Sequence, residues 1–240
     1  MAGLAMTVAD RRRAELAGRL AEVRGRIGRA CAAAGRSSDE VTLIAVTKFF
    51  PASDVVLLAS LGVSDIGENR DQEAAAKAAE ARELTGDAVR WHFVGQLQTN
   101  KARSVARYAA MVHSLDRAEL AVALDTAVRN LGRDRLPVLI QVSLDGASGR
   151  GGVGPDRALD LAGQVVAREH LRLSGVMAVA PRSADADDAF RELARVSDEI
   201  KRSYPDATIV SAGMSGDLEA AVRNGATHVR VGAALLGRRA

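Results

Sequence analysis

Along the first part of the chain, apolar residues recur at spacings of three and four: Leu16, Leu20, Val23, Ile27 and Cys31. Arg and Glu fill much of the opposite face. That period predicts one amphipathic helix. Thr7 and Asp10 provide a capping signal ahead of it, and Gly35 a stop. The period then changes. Short β-branched runs appear at 42–48 (TLIAVTK), 64–69 (SDIGEN), 91–95 (WHFVG), 111–116 (MVHSLD), 137–143 (PVLIQVS), 174–179 (SGVMAV), 208–213 (TIVSAG) and 228–232 (HVRVG). Alanine-rich stretches with helical periodicity separate most of them, over 53–61, 71–82, 117–131, 155–169, 185–202 and 216–224. Nearly continuous apolar runs are the mark of parallel strands buried on both faces. Eight strand–helix units of roughly 25–30 residues each predict an α/β fold, a closed (β/α)8 barrel of the TIM type. An open doubly wound sheet is the alternative. No linker is visible, so residues 1–240 read as a single domain, with residues 1–36 forming an extra helix packed on the barrel.

Composition narrows the function classes. Hydrophobic residues make up 48% and charged residues 26% of the 240-residue chain, too apolar for disorder. No run approaches the ~20 apolar residues of a membrane span, and no secretory signal is visible at the N-terminus. Cys31 is the only cysteine, which excludes an intrachain disulfide and fits a reducing cytoplasm. The net charge is only +3, although all but four of the 33 basic residues are arginine. Acidic residues are interleaved almost everywhere and aromatics are 3%, so no nucleic-acid partner is expected.

In a barrel of this kind the chemistry sits at the C-terminal ends of the strands. The first run ends in Lys48, behind Leu43-Ile44-Ala45-Val46. Burial there would free the amine as a nucleophile toward carbonyls; a lysine snorkelling out at the rim is the plainer account. After the seventh run comes Gly213-Met214-Ser215-Gly216-Asp217, leading into a helix for which Ser215 is a candidate cap. After the eighth comes Gly232-Ala233, leading into another. Loops after strands seven and eight form the phosphate site of this fold, although any barrel needs tight turns there. Arg230 shares a face with His228 and Gly232 by alternation. Inside a barrel mouth it requires a partner: a ring nitrogen or a carboxylate of a ligand, or a structural carboxylate such as Glu68. A ligand with a phosphate, a carbonyl and a ring acceptor satisfies all these residues. Pyridoxal 5′-phosphate has all three.

These motifs give the chain a specific resemblance. AVTK at 45–48, GEN at 67–69 with Gln72-Glu73, and WHFVGQLQTNK at 91–101 are joined by VHSLD at 112–116 and SGVMAV at 174–179. SAGMSGDLEAAV at 211–222 and VRVGAALLG at 229–237 complete the set. Over nearly its whole length the chain resembles the pyridoxal phosphate homeostasis protein family, single-domain relatives of the alanine racemase N-terminal barrel. The resemblance implies Lys48 as the Schiff-base lysine and Arg230 opposite the pyridine nitrogen. It implies Ser215 and Gly232 around the phosphate, with Met214 and Ala233 in the same turns, and Asn69 near the cofactor. Three positions depart from the family pattern. Ala233 stands where Thr is usual, Arg70 where Tyr commonly follows GEN, and Ser148-Gly149-Arg150-Gly151 replaces a basic Ser-Lys-Ser-Gly element.

Other features read as structural. Gly149 to Gly154 satisfy G-x-G-x-x-G but start several residues after their strand, with no acidic residue ending the next one. His92, His113, His170 and His228 lack metal-ligand spacing, so no metal is expected. His92 lines the site or packs in the core. Lys77 and Lys101 read as solvated helix charges. A racemase needs a second base. Tyr108 and Tyr204 both precede strands and so belong near the non-catalytic end, and no second domain is visible to supply another. An arginine facing the pyridine nitrogen also weakens the electron sink. The expectation is a monomeric cytoplasmic carrier that stores pyridoxal phosphate and delivers it, with apo pyridoxal phosphate-dependent enzymes as candidate recipients and little or no turnover. A weak amino-acid racemase is the alternative. A Schiff-base lyase for a phosphosugar and a pure interaction scaffold are the other competing classes.

Overall fold

The structure, a computed structural model, describes residues 7–146 and 151–237. The loop residues Ser148, Gly149 and Arg150 singled out above lie outside the described residues. Helix α1 spans Val8–Ala33. Its first turn is closed by a reciprocal box: Asp10 N donates to Thr7 Oγ1 and Thr7 N to Asp10 Oδ2, both at 3.1 Å. Leu16, Leu20, Val23, Ile27 and Cys31, the stripe seen in the sequence, are all buried. Each of the aliphatic side chains contributes about 1.5–3 kcal/mol by leaving water. Gly35, with φ +65°, turns the chain away after the helix.

Eight strands follow: β1 (Thr42–Val46), β2 (Asp65–Glu68), β3 (Arg90–Phe93), β4 (Ala109–Leu115), β5 (Leu136–Gln141), β6 (Leu171–Met177), β7 (Ile209–Ser211) and β8 (His228–Val231). They pair in sequence order, all parallel, into a closed barrel. Closure runs through β1 and β8, with Thr42 opposite His228 and Ala45 opposite Val231. The connecting helices are α2 (Ala52–Ser60), α3 (Asp71–Thr85), α4 (Ala102–Tyr108), α5 (Ala118–Asn130), α6 (Ala158–Val166), α7 (Ala186–Ser203), α8 (Leu218–Arg223) and α9 (Ala233–Leu236). Helix α1 lies against α2, α8 and α9, over the strands where the barrel closes.

Three sequence expectations need correction. Helix α4 was not anticipated. It is short, but Ala102, Val105 and Ala106 do mark a buried face at helical spacing. Strand β6 begins at Leu171 rather than Ser174, because its register with β5 shifts between Val138 and Leu139 and a longer strand absorbs the irregularity. Strand β1 ends at Val46, so Lys48 belongs to the turn that follows and not to the strand.

The main apolar core lies between strands and helices. Inside the bore lies a small apolar group, Met111, Leu139 and Met177, with Val179 and Ile209 against it. Gly175 fixes the approach of β6 to β7. Its φ is +145°, and a Cβ there would sit 1.9 Å from Ile209 O. We expect Gly175→Ala to destabilise the fold by at least about 2 kcal/mol, read as a lower midpoint in urea denaturation. A midpoint equal to that of the parent chain would contradict this packing.

Candidate functional site

The period of two along each strand sorts the side chains. On β8, His228, Arg230 and the following Gly232 share one parity, and on β1 so do Thr42, Ile44, Val46 and, beyond the strand, Lys48. Gly67 makes room for the β1 set: a Cβ there would lie 2.9 Å from Ile44 Cγ2 and 3.2 Å from Val46 Cγ2. Ala45 pairs with Val231, and Val46 with Gly67. The register therefore sets the Lys48 turn between Gly232 on one side and Asn69 on the other.

Lys48 itself is solvent-exposed. The burial expected for it is not supplied by the chain, because the strand has already ended and the turn lifts the side chain out. What is buried is the support of that turn. Thr47 N donates to Gly67 O at 3.0 Å, and Thr47 Oγ1 to Glu68 Oε1 at 2.7 Å. Lys77, on α3, is 6% exposed and donates to Thr47 O at 2.8 Å and to Glu68 Oε1 at 2.5 Å. It also reaches Glu73 Oε1 at 3.2 Å, the atom that accepts Phe49 N at 2.5 Å. Phe49 holds φ +70°, a costly conformation for an aromatic residue. These contacts hold it there, and Arg70 lies 5.2 Å over its ring. Lys77 is thus no solvated helix charge. Glu68 faces Lys77 in the layer outside the bore, so it is not the partner of Arg230. Burial pushes the Glu68 carboxyl up, against the pull of Lys77 and Thr47.

The two glycine turns meet. Ala234 N, in the first turn of α9, donates to Ser215 Oγ at 3.3 Å. Ser215 therefore bridges the β7 and β8 loops and does not cap α8, which starts at Leu218 with Asp217 ahead of it. Gly213, at φ +88°, allows a close approach: a Cβ there would lie 2.6 Å from Ala221 Cβ. Gly232 packs on β1, where a Cβ would lie 3.3 Å from Val46 O. Gly216 faces open space. Met214 is 39% exposed. Its N–H donates to Asp217 Oδ1 at 2.6 Å, so that donor is already engaged. Ala233 is exposed at the start of α9.

Arg230 is buried, with Nη1 donating to Ser211 Oγ at 2.7 Å and Nη2 to Ala178 O at 2.9 Å. No carboxylate among the described residues is within ion-pair distance, and its remaining N–H groups have no acceptor among the described residues. Burial brings the guanidinium down to about 10, with Asp217 pulling the other way; it stays cationic at neutral pH. Below it lies a polar row that the sequence did not disclose. Ser211 Oγ is 2.9 Å from His113 Nδ1, His113 Nε2 is 2.9 Å from His92 Nδ1, and His92 Nε2 is 2.9 Å from Asp65 Oδ1. Arg90 closes the far end through Nε at 2.9 Å and Nη2 at 2.7 Å to Asp65. Burial pushes the Asp65 carboxyl up, but the bonds from His92, Arg90 and Ser64 outweigh it and hold it well below the usual range.

Asn69 Oδ1 is buried without a partner among the described residues. Asn69 lines a cavity of about 450 Å³ with Asp71, Gln72, Phe93, Gln96 and Lys101. Gly95 keeps the Asn69 backbone in place, since a Cβ there would lie 2.2 Å from Asn69 O. Tyr108 begins near the foot of β4, but its phenol lies in the outer layer, pushed well up by burial and by Asp71 and Glu68. The Tyr204 hydroxyl faces Gly163 on α6. Neither is a base facing the bore. Sequence reading missed Lys77, Glu73, Thr47 and Ser211 as supports. A visible signal existed for Lys77, which falls on the same α3 face as the buried Ala74, Ala78 and Ala81.

Comparison with known proteins bears on this arrangement. The family model of the alanine racemase N-terminal domain matches residues 22–240. A pyridoxal phosphate homeostasis protein of Mycobacterium bovis is 45% identical over 95% of this chain and 94% of its own. Its namesake in Escherichia coli is 37% identical over 94% and 97%. PipY of Synechococcus elongatus, solved with PLP bound, is 32% identical, with a TM-score of 0.81 over 92% of this chain and all of its own.

Two histidines, His113 fully buried and His228 half-buried, give the fold a pH dependence. Burial, then the neighbouring positive groups, pushes His113 well below 6.5 and His228 down to about 4. The unfolded chain protonates both near 6.5, whereas the folded chain resists. Their contribution is therefore fully present above pH 6.5 and is lost as pH falls toward 4. For His228 we expect a loss of about 2 kcal/mol between pH 7.5 and pH 5, measured by urea denaturation, and a shallower fall in His228→Asn. Equal stability at both pH values would contradict it.

Proposed function

The chain belongs to the alanine racemase N-terminal-domain family, on its pyridoxal phosphate homeostasis branch, and from that premise we propose that it binds pyridoxal 5′-phosphate and serves the intracellular storage and delivery of that cofactor. The observation that carries this reading is the convergence at one end of the barrel. Ser215 and α9 join two glycine turns, Arg230 carries donors without an acceptor among the described residues, and the Lys48 turn stands beside both.

The residues present suit the group. The first turn of a helix offers amides without intrahelical acceptors, and Gly232 leaves no side chain over the start of α9. Ser215 Oγ, Gly232 and the Ala233 amide would receive the phosphate, the Ala234 amide being engaged by Ser215. Met214 would contribute its surface rather than its N–H, which Asp217 occupies. Asn69, two residues past the partner of Val46, would lie on the far side of the Lys48 turn. Arg230 would meet the ring nitrogen as a donor. When bound, pyridoxal phosphate supplies an aldehyde that condenses with a lysine amine, and Lys48 is the lysine at this mouth.

Little or no turnover follows from the same residues. A guanidinium that remains cationic donates to the ring nitrogen and keeps a proton off it. Among the described residues no tyrosine faces the bore as a second base. The exposure of Lys48 suits release to an apo pyridoxal phosphate-dependent enzyme. The reading extends to a monomer working in the cytoplasm. No helix among the described residues is long and apolar enough to cross a membrane.

Purified protein titrated with pyridoxal phosphate is expected to turn yellow with saturable uptake, and Lys48→Ala to abolish the bound-cofactor band. A colourless parent chain would overturn the reading, and so would a band that survives Lys48→Ala. Racemisation of alanine well above the rate of free cofactor would replace the carrier with a racemase. Ala233→Thr adds one hydroxyl beside the phosphate, and we expect about tenfold tighter retention, measured by equilibrium dialysis. Unchanged or weaker retention would place the phosphate elsewhere.

A further inference from the structure

The polar row below Arg230 runs through five strands' worth of sequence separation, and every member is buried: Asp65 on β2, His92 on β3, His113 on β4, Ser211 on β7 and Arg230 on β8. Building on the pyridoxal phosphate reading, we propose that Ser211, His113, His92 and Asp65 form a one-directional hydrogen-bond chain that positions the Arg230 guanidinium for the ring nitrogen of the cofactor. They are positioning residues; only Arg230 would touch the ligand.

The direction follows from the two ends. A guanidinium only donates and a carboxylate only accepts. Arg230 Nη1 donates to Ser211 Oγ, so the hydroxyl proton must go onward. The one other partner of Ser211 Oγ among the described residues is His113 Nδ1. That nitrogen must then be a bare acceptor, which puts the His113 proton on Nε2. It faces His92 Nδ1, which must accept in turn, and His92 keeps its own proton on Nε2 for Asp65. Both rings are then neutral, and every side-chain polar hydrogen of Ser211, His113 and His92 has an acceptor.

One extra proton breaks this order. A proton on His92 Nδ1 would switch His113 to its Nδ1–H tautomer, and His113 Nδ1–H would then donate to Ser211 Oγ alongside Arg230. The Ser211 hydroxyl would be left without an acceptor in a fully buried position, a costly outcome. It would also add positive charge beneath Arg230. Other groups facing the row are His228 on β8, whose ring lies 6.4 Å from that of His92, Arg90 beyond Asp65, and Asp217 after β7. Of these, Asp65 and Asp217 alone are negative, one at the foot and one at the mouth. The row therefore favours a single cation at its top, with its free N–H groups left for the ligand.

Nitrogen NMR of the full chain labelled at histidine tests the row before any cofactor is added. At pH 7.5 we expect His92 and His113 both as neutral rings protonated at Nε2. A proton on Nδ1 of either ring, or an imidazolium, overturns the proposal. The second arm reads the cofactor. Ser211→Ala removes one of the two acceptors of Arg230, and we expect pyridoxal phosphate to bind roughly ten- to a hundred-fold more weakly. A displaced absorption maximum is expected with it, and Ser211→Thr should restore both. A Ser211→Ala protein that folds and binds with the parent's affinity and absorption maximum overturns the proposal while leaving the function reading intact. Failure of the parent chain to take up the cofactor strikes that reading instead, and the tautomers then decide the row alone. They decide it equally if Ser211→Ala does not fold.

Discussion

The in-register pairing of β1 with β8 is the constraint on which the site rests. Without it the chain would be a sheet with two open edges, and its first and last chemistry-bearing segments would sit far apart. Pairing Ala45 with Val231 brings the Lys48 turn to Gly232. Pairing Val46 with Gly67 brings the same turn to Asn69. Helix α1 seals the seam from outside, its aliphatic stripe lying against α2, α8 and α9. The same closure puts Arg230 and Asp65 into one bore.

Two buried polar systems divide the work. Outside the bore, Lys77, Glu68, Glu73 and Thr47 hold a strained turn, so an exposed lysine is presented on a rigid base. Inside, the histidine row holds an arginine that has no carboxylate within ion-pair distance among the described residues. Each system places charge where hydrophobic packing would be cheaper. Both earn their place by positioning a group at the mouth, since a half-satisfied buried network is worse than an apolar one. The exposed lysine and the buried arginine suit holding a cofactor more than transforming a substrate.

Much of this was legible in the sequence for definite reasons. The α1 stripe, the eight strands and the glycine turns follow from local periodicity and from backbone freedom, which are properties of neighbouring residues. Lys48, Arg230 and Ser215 could be named because strand ends and glycine turns have fixed places in a barrel. Lys77 was misread because a charge suggests solvent, although its helical phase matched the buried alanines. Glu68 stood among the alternatives for Arg230, although alternation puts it on the outer side. The row from Ser211 to Asp65 could not be read, because a serine in a short strand carries no local signal and its partners come from four other strands. The exposure of Lys48 depended on where β1 stops, a boundary that periodicity does not resolve.

Peptide mapping after borohydride treatment of the pyridoxal phosphate-loaded protein puts the question most directly, because reduction makes any lysine attachment permanent. The four lysines lie in different settings: Lys48 on its supported turn, Lys77 buried, Lys101 half-buried on the wall of the Asn69 cavity, and Lys201 exposed. The account predicts one phosphopyridoxyl group per chain, on Lys48. Label on Lys77, Lys101 or Lys201 in its place, or no stable label at all, would contradict it.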